Sequence, residues 1–158
     1  LDVASRRDGR NAPGTLTSLN ELAIDLRNVG ELQESEAMLR ELLASSKRVL
    51  DPHDFDIGRA LGSLAKTLEV AGKLEESIEF AQQALKHRFE NEGPDAWWTN
   101  RERLDLSRIL QKLGRSQEVI QLLQELQDSM SRNSEPDDDD RKLISEAEEL
   151  MRSIEGST

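Results

Sequence analysis

Cysteine and tyrosine are absent from this 158-residue sequence, aromatic residues make up only 3% of it, and long apolar runs are missing. Without cysteine the chain has neither a disulfide framework nor a thiolate metal site, which fits a reducing, cytoplasmic compartment. No stretch approaches the roughly 18 apolar residues that a membrane-spanning helix requires. These absences argue against a disulfide-stabilised scaffold and against a transmembrane segment.

Basic residues are also in the minority, because 21 Lys and Arg stand against 32 Asp and Glu and the net charge is −11. Such a charge argues against non-specific nucleic-acid binding and against an anionic membrane surface as the partner. Apolar residues make up 35% of the chain and charged residues 34%. A compact single-core domain usually has more apolar residues, whereas a one-layer repeat array exposes more surface and tolerates fewer.

The stretch 57–89 carries two helix-length apolar patterns with one glycine between them. Leu61, Leu64, Ala65 and Leu68 follow the i, i+3, i+4, i+7 spacing that places side chains on one face of a helix. Gly72 then provides the residue type that accepts the left-handed conformation at a helix end. The pattern predicts a pair of antiparallel helices that is too small to bury both of its apolar faces alone.

This helix pair recurs with a constant step of 42 residues. Three series keep the step: Gly30, Gly72 and Gly114; Leu22, Leu64 and Leu106; Leu26, Leu68 and Leu110. A period in this range is typical of solenoids, in which each unit completes its core by stacking on the next. We therefore predict an all-α fold, an α-α superhelix of about three helical hairpins with a preceding partial helix and a C-terminal capping helix.

The repeat divides the chain into six segments. They are the end of a preceding repeat (1–14), three repeats (15–56, 57–98 and 99–130), an acidic linker (131–140) and a capping helix (141–154). Because the first segment resembles the end of a second helix, we expect the chain to be part of a longer protein. The third repeat departs most from the pattern, since Arg103 replaces the leucine found at positions 19 and 61.

The middle repeat shows a more specific spacing of leucine, Leu-Ala, leucine, glycine, leucine and serine, at Leu61, Leu64, Ala65, Leu68, Gly72, Leu74 and Ser77. This spacing resembles the tetratricopeptide repeat, whose usual form has about 34 residues. The longer period here, and the linker Arg-Val-Leu-Asp-Pro-His-Asp at 48–54, are similar to the repeats of kinesin light chain and its bacterial relatives. The resemblance covers roughly residues 1–127.

The resemblance implies a function in protein binding. Members of this family bind proteins, commonly as short peptides or helices, in a concave groove lined by the first helices of the repeats. In bacteria such arrays often follow a serine/threonine kinase, a nucleotide-binding switch or a protease domain. The resemblance therefore implies a bacterial scaffold within a larger signalling protein.

The residues expected on the concave side follow from the position of the apolar stripe on each first helix. Gly62 and Leu104 belong to this side, together with a mostly basic set of candidate binding residues: Asn20, Arg27, Arg59, Lys66, Arg101, Arg108 and Lys112. Arginine pairs with carboxylates in a bidentate manner and an asparagine amide suits a peptide backbone, so we predict an acidic peptide or a C-terminal carboxylate as the partner. The alternative is that these side chains are solvated and pair with nearby Glu and Asp.

Residues suited to chemistry are scarce. The sequence has two histidines, His53 and His87, and no nucleophile, phosphate-loop or metalloprotease motif occurs in it. The run 137–140 lacks the spaced ligands of a calcium loop. We predict no catalytic residue, no metal and no cofactor. Trp97 and Trp98 either form a binding hot spot or fix the turn before the third repeat.

Two functional hypotheses follow. The leading one is a protein-interaction module that is not itself an enzyme, and the alternative is a structural spacer or self-association region of a larger signalling protein such as a bacterial serine/threonine kinase. An exposed apolar face at the end of the array would favour self-association.

Overall fold

The structure, a computed structural model, describes residues 13–156, so that the predicted remnant of a preceding repeat lies almost entirely outside the described residues. Within this range the chain forms seven α-helices and no strand, which confirms the predicted all-α fold. They are α1 (Pro13–Asn28), α2 (Leu32–Val49), α3 (Phe55–Val70), α4 (Leu74–Glu92), α5 (Trp97–Lys112), α6 (Ser116–Ser131) and α7 (Asp138–Glu155). The chain divides into a first unit, Leu1–Ala84, and a second unit, Leu85–Thr158.

Glycines at the predicted positions make the turns within the hairpins. Gly30, Gly72 and Gly114 have φ values of 90°, 77° and 70°, in the left-handed region where residues with a Cβ are strained. After α3, the amide of Lys73 donates to the carbonyl of Leu68 at 2.9 Å, and the three residues 71–73 reverse the chain. The predicted glycine turns are confirmed.

In the first unit the two helices of each repeat approach closely at a serine. The Ser35 hydroxyl donates to the carbonyl of Ala23, and the Ser77 hydroxyl to the carbonyl of Ala65, both at 2.7 Å. The two bonds are related by the 42-residue step. A larger residue at either serine would separate the helices, so these contacts explain why the pattern keeps a small polar residue there.

Burial of the repeated leucine depends on the helices that surround it. Leu64, on α3, has no exposed surface, whereas Leu22, at the same position of α1, is 47% exposed. Helix α1 packs on α2 and α3. The first helix of the first repeat therefore leaves part of its apolar stripe without cover from residues 13–156.

In the second unit Arg103 occupies a leucine position and is nevertheless 4% exposed. Its guanidinium donates to the carbonyl of Pro94 at 2.7 Å and to Oδ1 of Asn100 at 2.6 Å. The Asn100 amide in turn donates to the Ser129 hydroxyl at 2.8 Å. Nε of Arg103 has no hydrogen bond but lies 3.6 Å from the Glu125 carboxylate. A buried charge is tolerated when it is paired and hydrogen-bonded, so these contacts allow α5 to form despite its departure from the repeat.

The last helix begins at Asp138, three residues before the start predicted from the sequence, and ends one residue after the predicted end. Asp137 accepts from the amide of Asp140 at 2.9 Å, and the Asp140 carboxylate accepts from the amide of Asp137 at 3.2 Å. This capping box, with negative charge in the first turn, stabilises the helix start. The predicted linker 131–140 is thus reduced to 132–137, because its aspartates form the cap and first turn of α7.

Candidate protein-binding surface

One predicted binding residue of the first unit, Arg59, lies at the contact between α1 and α3. Arg59, on α3, pairs with Glu21 of α1 at 3.3 Å and with Asp56 of its own helix at 3.1 Å. The Thr17 hydroxyl donates to the Asp56 carboxylate at 3.3 Å. The two first helices of this unit therefore meet through the positions at which the sequence predicted a binding face.

Lys66 lies two turns after Arg59 on α3 and is partly exposed. Its ammonium group donates to Glu69 at 2.7 Å, and the Glu69 side chain is almost fully buried. A buried carboxylate is costly without a counter-charge, so Lys66 has a partner that it retains in the free protein. In the free protein, both Arg59 and Lys66 thus pair with carboxylates of the same chain, as the alternative interpretation expected.

Asn20, on α1 between Thr17 and Glu21, differs from these charged residues. It is 2% exposed, and neither Nδ2 nor Oδ1 of its carboxamide has a hydrogen-bond partner. A buried polar group left unpaired costs about 1–3 kcal/mol. The first unit therefore contains a donor and an acceptor with no partner at a predicted binding position.

Arg27 and Lys112 lie in the last turns of α1 and α5, respectively. A cation at this end of a helix interacts favourably with the carbonyl groups that lack intrahelical partners. Arg27 lies in the first unit and Lys112 in the second, and each has an interaction within the protein.

In the second unit, α7 covers the predicted binding face of α5. Arg101 and Arg108 both pair with Glu146 of α7, at 3.1 and 2.8 Å, and both also pair with Asp105. Leu104, between the two arginines on this face, was predicted to line an open groove but has no exposed surface. That prediction is wrong because the last helix packs on α5 and α6.

The electrostatics of this contact favour the charged forms. Burial alone would raise the pKa of Glu146. The guanidinium groups of Arg108 and Arg101 lower this pKa by a larger amount, so the net shift is downward. The Glu146 carboxylate is therefore ionised at neutral pH, and it pairs with two arginines of α5.

Trp97 and Trp98 lie at the start of α5 with their ring planes at 89° and their centroids 4.7 Å apart. The buried guanidinium of Arg88 lies 5.3 Å from the Trp98 ring and donates to Glu92 at 2.6 Å. Both tryptophans line a cavity of about 580 Å³, which also includes Asp95, Asn133, Asp137, Asp139 and Asp140. The pair thus connects α5 to the end of α4 and forms one wall of an acidic cavity.

Glu102 is a buried acid that the sequence analysis missed. It is 8% exposed on α5, and burial together with the nearby Asp105 carboxylate raises its pKa to about 8. The repeat offered a signal, since 42 residues earlier stands Ala60, which is buried in the first unit. An acid at a core position of a repeat is expected to be desolvated.

Within residues 13–156, no group of three or more histidine, aspartate or glutamate side chains is arranged to hold a metal ion. None of the helices in the same range is long and apolar enough to cross a membrane.

Comparisons with known proteins agree with the repeat architecture. Residues 14–88 match the sequence model of the tetratricopeptide repeat family. No curated protein sequence matches the chain. A kinesin light chain structure from Podosopora anserina with nearly identical TPR-like repeats has a TM-score of 0.71 and 20% identity, over 90% of this chain and 74% of that chain.

Two further structures are similar as well. BtubC (BKLC) from P. vanneervenii has a TM-score of 0.71 and 17% identity over 98% of this chain and 69% of that chain. The Yersinia enterocolitica type III secretion chaperone SycD, in complex with a peptide of the translocator YopD, has a TM-score of 0.69 and 16% identity, over 92% of this chain and 96% of that chain. Residues 14–88 therefore carry tetratricopeptide repeats, and the described helices have the same fold as these solved repeat structures.

Proposed function

We propose that this chain is a protein-interaction module whose first unit binds an acidic peptide segment of a partner along the adjoining faces of α1 and α3. The observation that carries the proposal is the carboxamide of Asn20, which is buried in the free protein with both polar atoms unpaired, so that a peptide reaches it by displacing the side chains that cover it. An extended peptide backbone offers one N–H and one C=O group per residue, and these match the acceptor and donor of an asparagine.

The partner class is supported by a relative of the same fold. SycD was solved with a peptide of YopD, and this chain covers 96% of its length. A peptide requires little more than a row of polar contacts on a rigid helical surface, which a stacked pair of hairpins provides. The proposal therefore concerns a peptide segment and not a small molecule.

The acidic character of the peptide is inferred from Arg59 and Lys66. The contact between Arg59 and Glu21 is long, at 3.3 Å, and Glu21 is mostly exposed. Exposed pairs of this kind contribute about 0–1 kcal/mol, so a carboxylate of a partner can replace Glu21 at little cost. Arginine then gains a second hydrogen bond if the incoming carboxylate binds in a bidentate manner.

Charge reversal of the two cations is expected to weaken this binding. For the double variant Arg59→Glu and Lys66→Glu, the affinity for a fluorescein-labelled Asp/Glu-rich peptide should fall by at least about tenfold, or 1.4 kcal/mol. Fluorescence anisotropy measures the affinity, and circular dichroism verifies that helicity is retained. The matched control is Lys47→Glu with Arg48→Glu, an equal charge change at exposed positions near the end of α2. If both double variants lose the same peptide affinity, the loss comes from the change in net charge, and the assigned surface is rejected.

Replacing Asn20 with alanine is expected to move stability and binding in opposite directions. Removing the unpaired amide and introducing a better helix former should raise the free energy of unfolding by about 1–3 kcal/mol. The affinity for the same peptide should fall by about tenfold, because the backbone contacts are lost. Urea unfolding and anisotropy provide the two values, with the exposed Asn28→Ala as control. A less stable variant with unchanged peptide affinity would show that Asn20 is structural.

A further inference from the structure

We propose that the surface of α5 and α6 beneath α7 is a second interaction surface, which accepts an acidic amphipathic helix of a partner protein. In the isolated chain α7 occupies this surface, and a partner helix of the same chemistry displaces it. The inference concerns the second unit only and does not depend on peptide binding by the first unit.

The charges on α5 define what the surface accepts. Asp105 pairs with Arg101 and Arg108 on the same helix, and Glu146 supplies the second carboxylate from α7. When α7 leaves, two guanidinium groups share one carboxylate, and this face carries one net positive charge. A helix that brings a carboxylate to the position of Glu146 restores the balance.

The apolar part of the contact defines the shape of the occupant. Leu104 lies between the two arginines on α5 and is completely covered. On α7 the buried residues follow a helical i, i+4, i+7, i+11 spacing: Leu143, Ala147, Leu150 and Ile154. Glu146 stands three residues after the first of them. The expected partner is therefore a helix with this stripe and a carboxylate at its i+3 position, a helix-in-groove mode of recognition.

Helix α7 packs on fewer described helices than the corresponding helix of the first unit. There, α3 packs on α1 and α2 and is also joined to α4, where Ser77 donates to the carbonyl of Ala65 at 2.7 Å. In the second unit α7 packs on α5 and α6, and no described helix follows it. Its ion pairs are partly exposed, with Glu146 at 22%, so each contributes little and is weakened by salt. The segment 132–137 connects α7 to α6.

A fluorescein-labelled peptide with the sequence of residues 137–156 is a suitable probe for the full chain. In the chain variant Glu146→Lys, α7 loses its ion pairs while Arg101, Leu104 and Arg108 remain. The labelled peptide should therefore bind this variant about tenfold more tightly than the original chain. The matched control is Glu149→Lys, an exposed position on α7, which should leave the affinity unchanged. A probe that itself carries Glu146→Lys should not bind.

A second measurement does not require a weakened α7. Gln111 Nε2 and Ser153 Oγ lie 2.7 Å apart, and the chain has no cysteine, so Gln111→Cys with Ser153→Cys permits a specific cross-link with a short bis-maleimide. The cross-linked chain should lose probe binding that the same variant shows before cross-linking. Binding that is equal before and after cross-linking, or equal in the Glu146→Lys chain and the original chain, would overturn the proposal and leave α7 as a fixed cap.

Discussion

Replacing Leu64 with alanine is expected to lower the free energy of unfolding by about 2–5 kcal/mol, the range for removing a buried leucine side chain. Leu64 has no exposed surface and belongs to the core of the first unit, together with Leu39, Leu61 and Leu68. Truncation leaves a cavity between helices that are already close-packed, because the serine contacts fix their separation. Urea unfolding, followed by circular dichroism, measures the change.

The repeat provides a matched control for this variant. Leu22→Ala removes the same atoms at the same repeat position, but Leu22 is 47% exposed. Its expected cost is about 1 kcal/mol or less, because part of the side chain is already in water. Equal costs for the two variants would contradict the stacked arrangement, in which only the helix between neighbours buries its leucine completely.

Replacing Glu102 with glutamine is expected to change how stability depends on pH. Burial, with the nearby Asp105, raises the pKa of Glu102 from 4.5 to about 8 in the folded protein. Between these values the folded state keeps a proton that the unfolded state releases. The stabilising contribution of this proton is therefore complete below pH 4.5 and is lost as pH rises to about 8.

Glutamine has no charge to bury and removes this dependence. The stability of Glu102→Gln relative to the original chain should rise with pH by at most about 1.4 kcal/mol per pH unit and level off above pH 8. Thermal unfolding at a series of pH values measures the difference, with the exposed Glu149→Gln as control. If the stability of Glu102→Gln and that of the original chain change in parallel with pH, Glu102 is ionised in the folded state.

The sequence predicted the features that repeat and are local. Gly72 could be placed because a left-handed turn residue follows directly from the end of an apolar stripe, and its counterparts recur at a fixed step. Ser77 and Leu64 could be placed in the same way, since the helices of one hairpin are near neighbours along the chain. Periodicity thus sufficed for the hairpins and for the face of α3 that becomes buried.

What the sequence could not predict depends on contacts outside the period. Leu104 has the repeat position of Gly62, yet it is fully buried. Glu146, the partner of Arg108, is 38 residues away along the chain. The burial of Arg103 required the Pro94 carbonyl and Asn100 to converge, which no single pattern encodes. The binding role of Asn20, Arg59 and Lys66 remains a prediction, because the free protein supplies its own carboxylates to both cations.

Nuclear magnetic resonance of the ¹⁵N-labelled full chain, titrated with the acidic peptide, tests the central claim most directly. The account predicts that the largest chemical-shift changes of the backbone amides fall on α1 and α3, around Asn20, Arg59 and Lys66. These changes should disappear in the Arg59→Glu, Lys66→Glu variant. Changes confined to other helices, or identical in that variant, would contradict it.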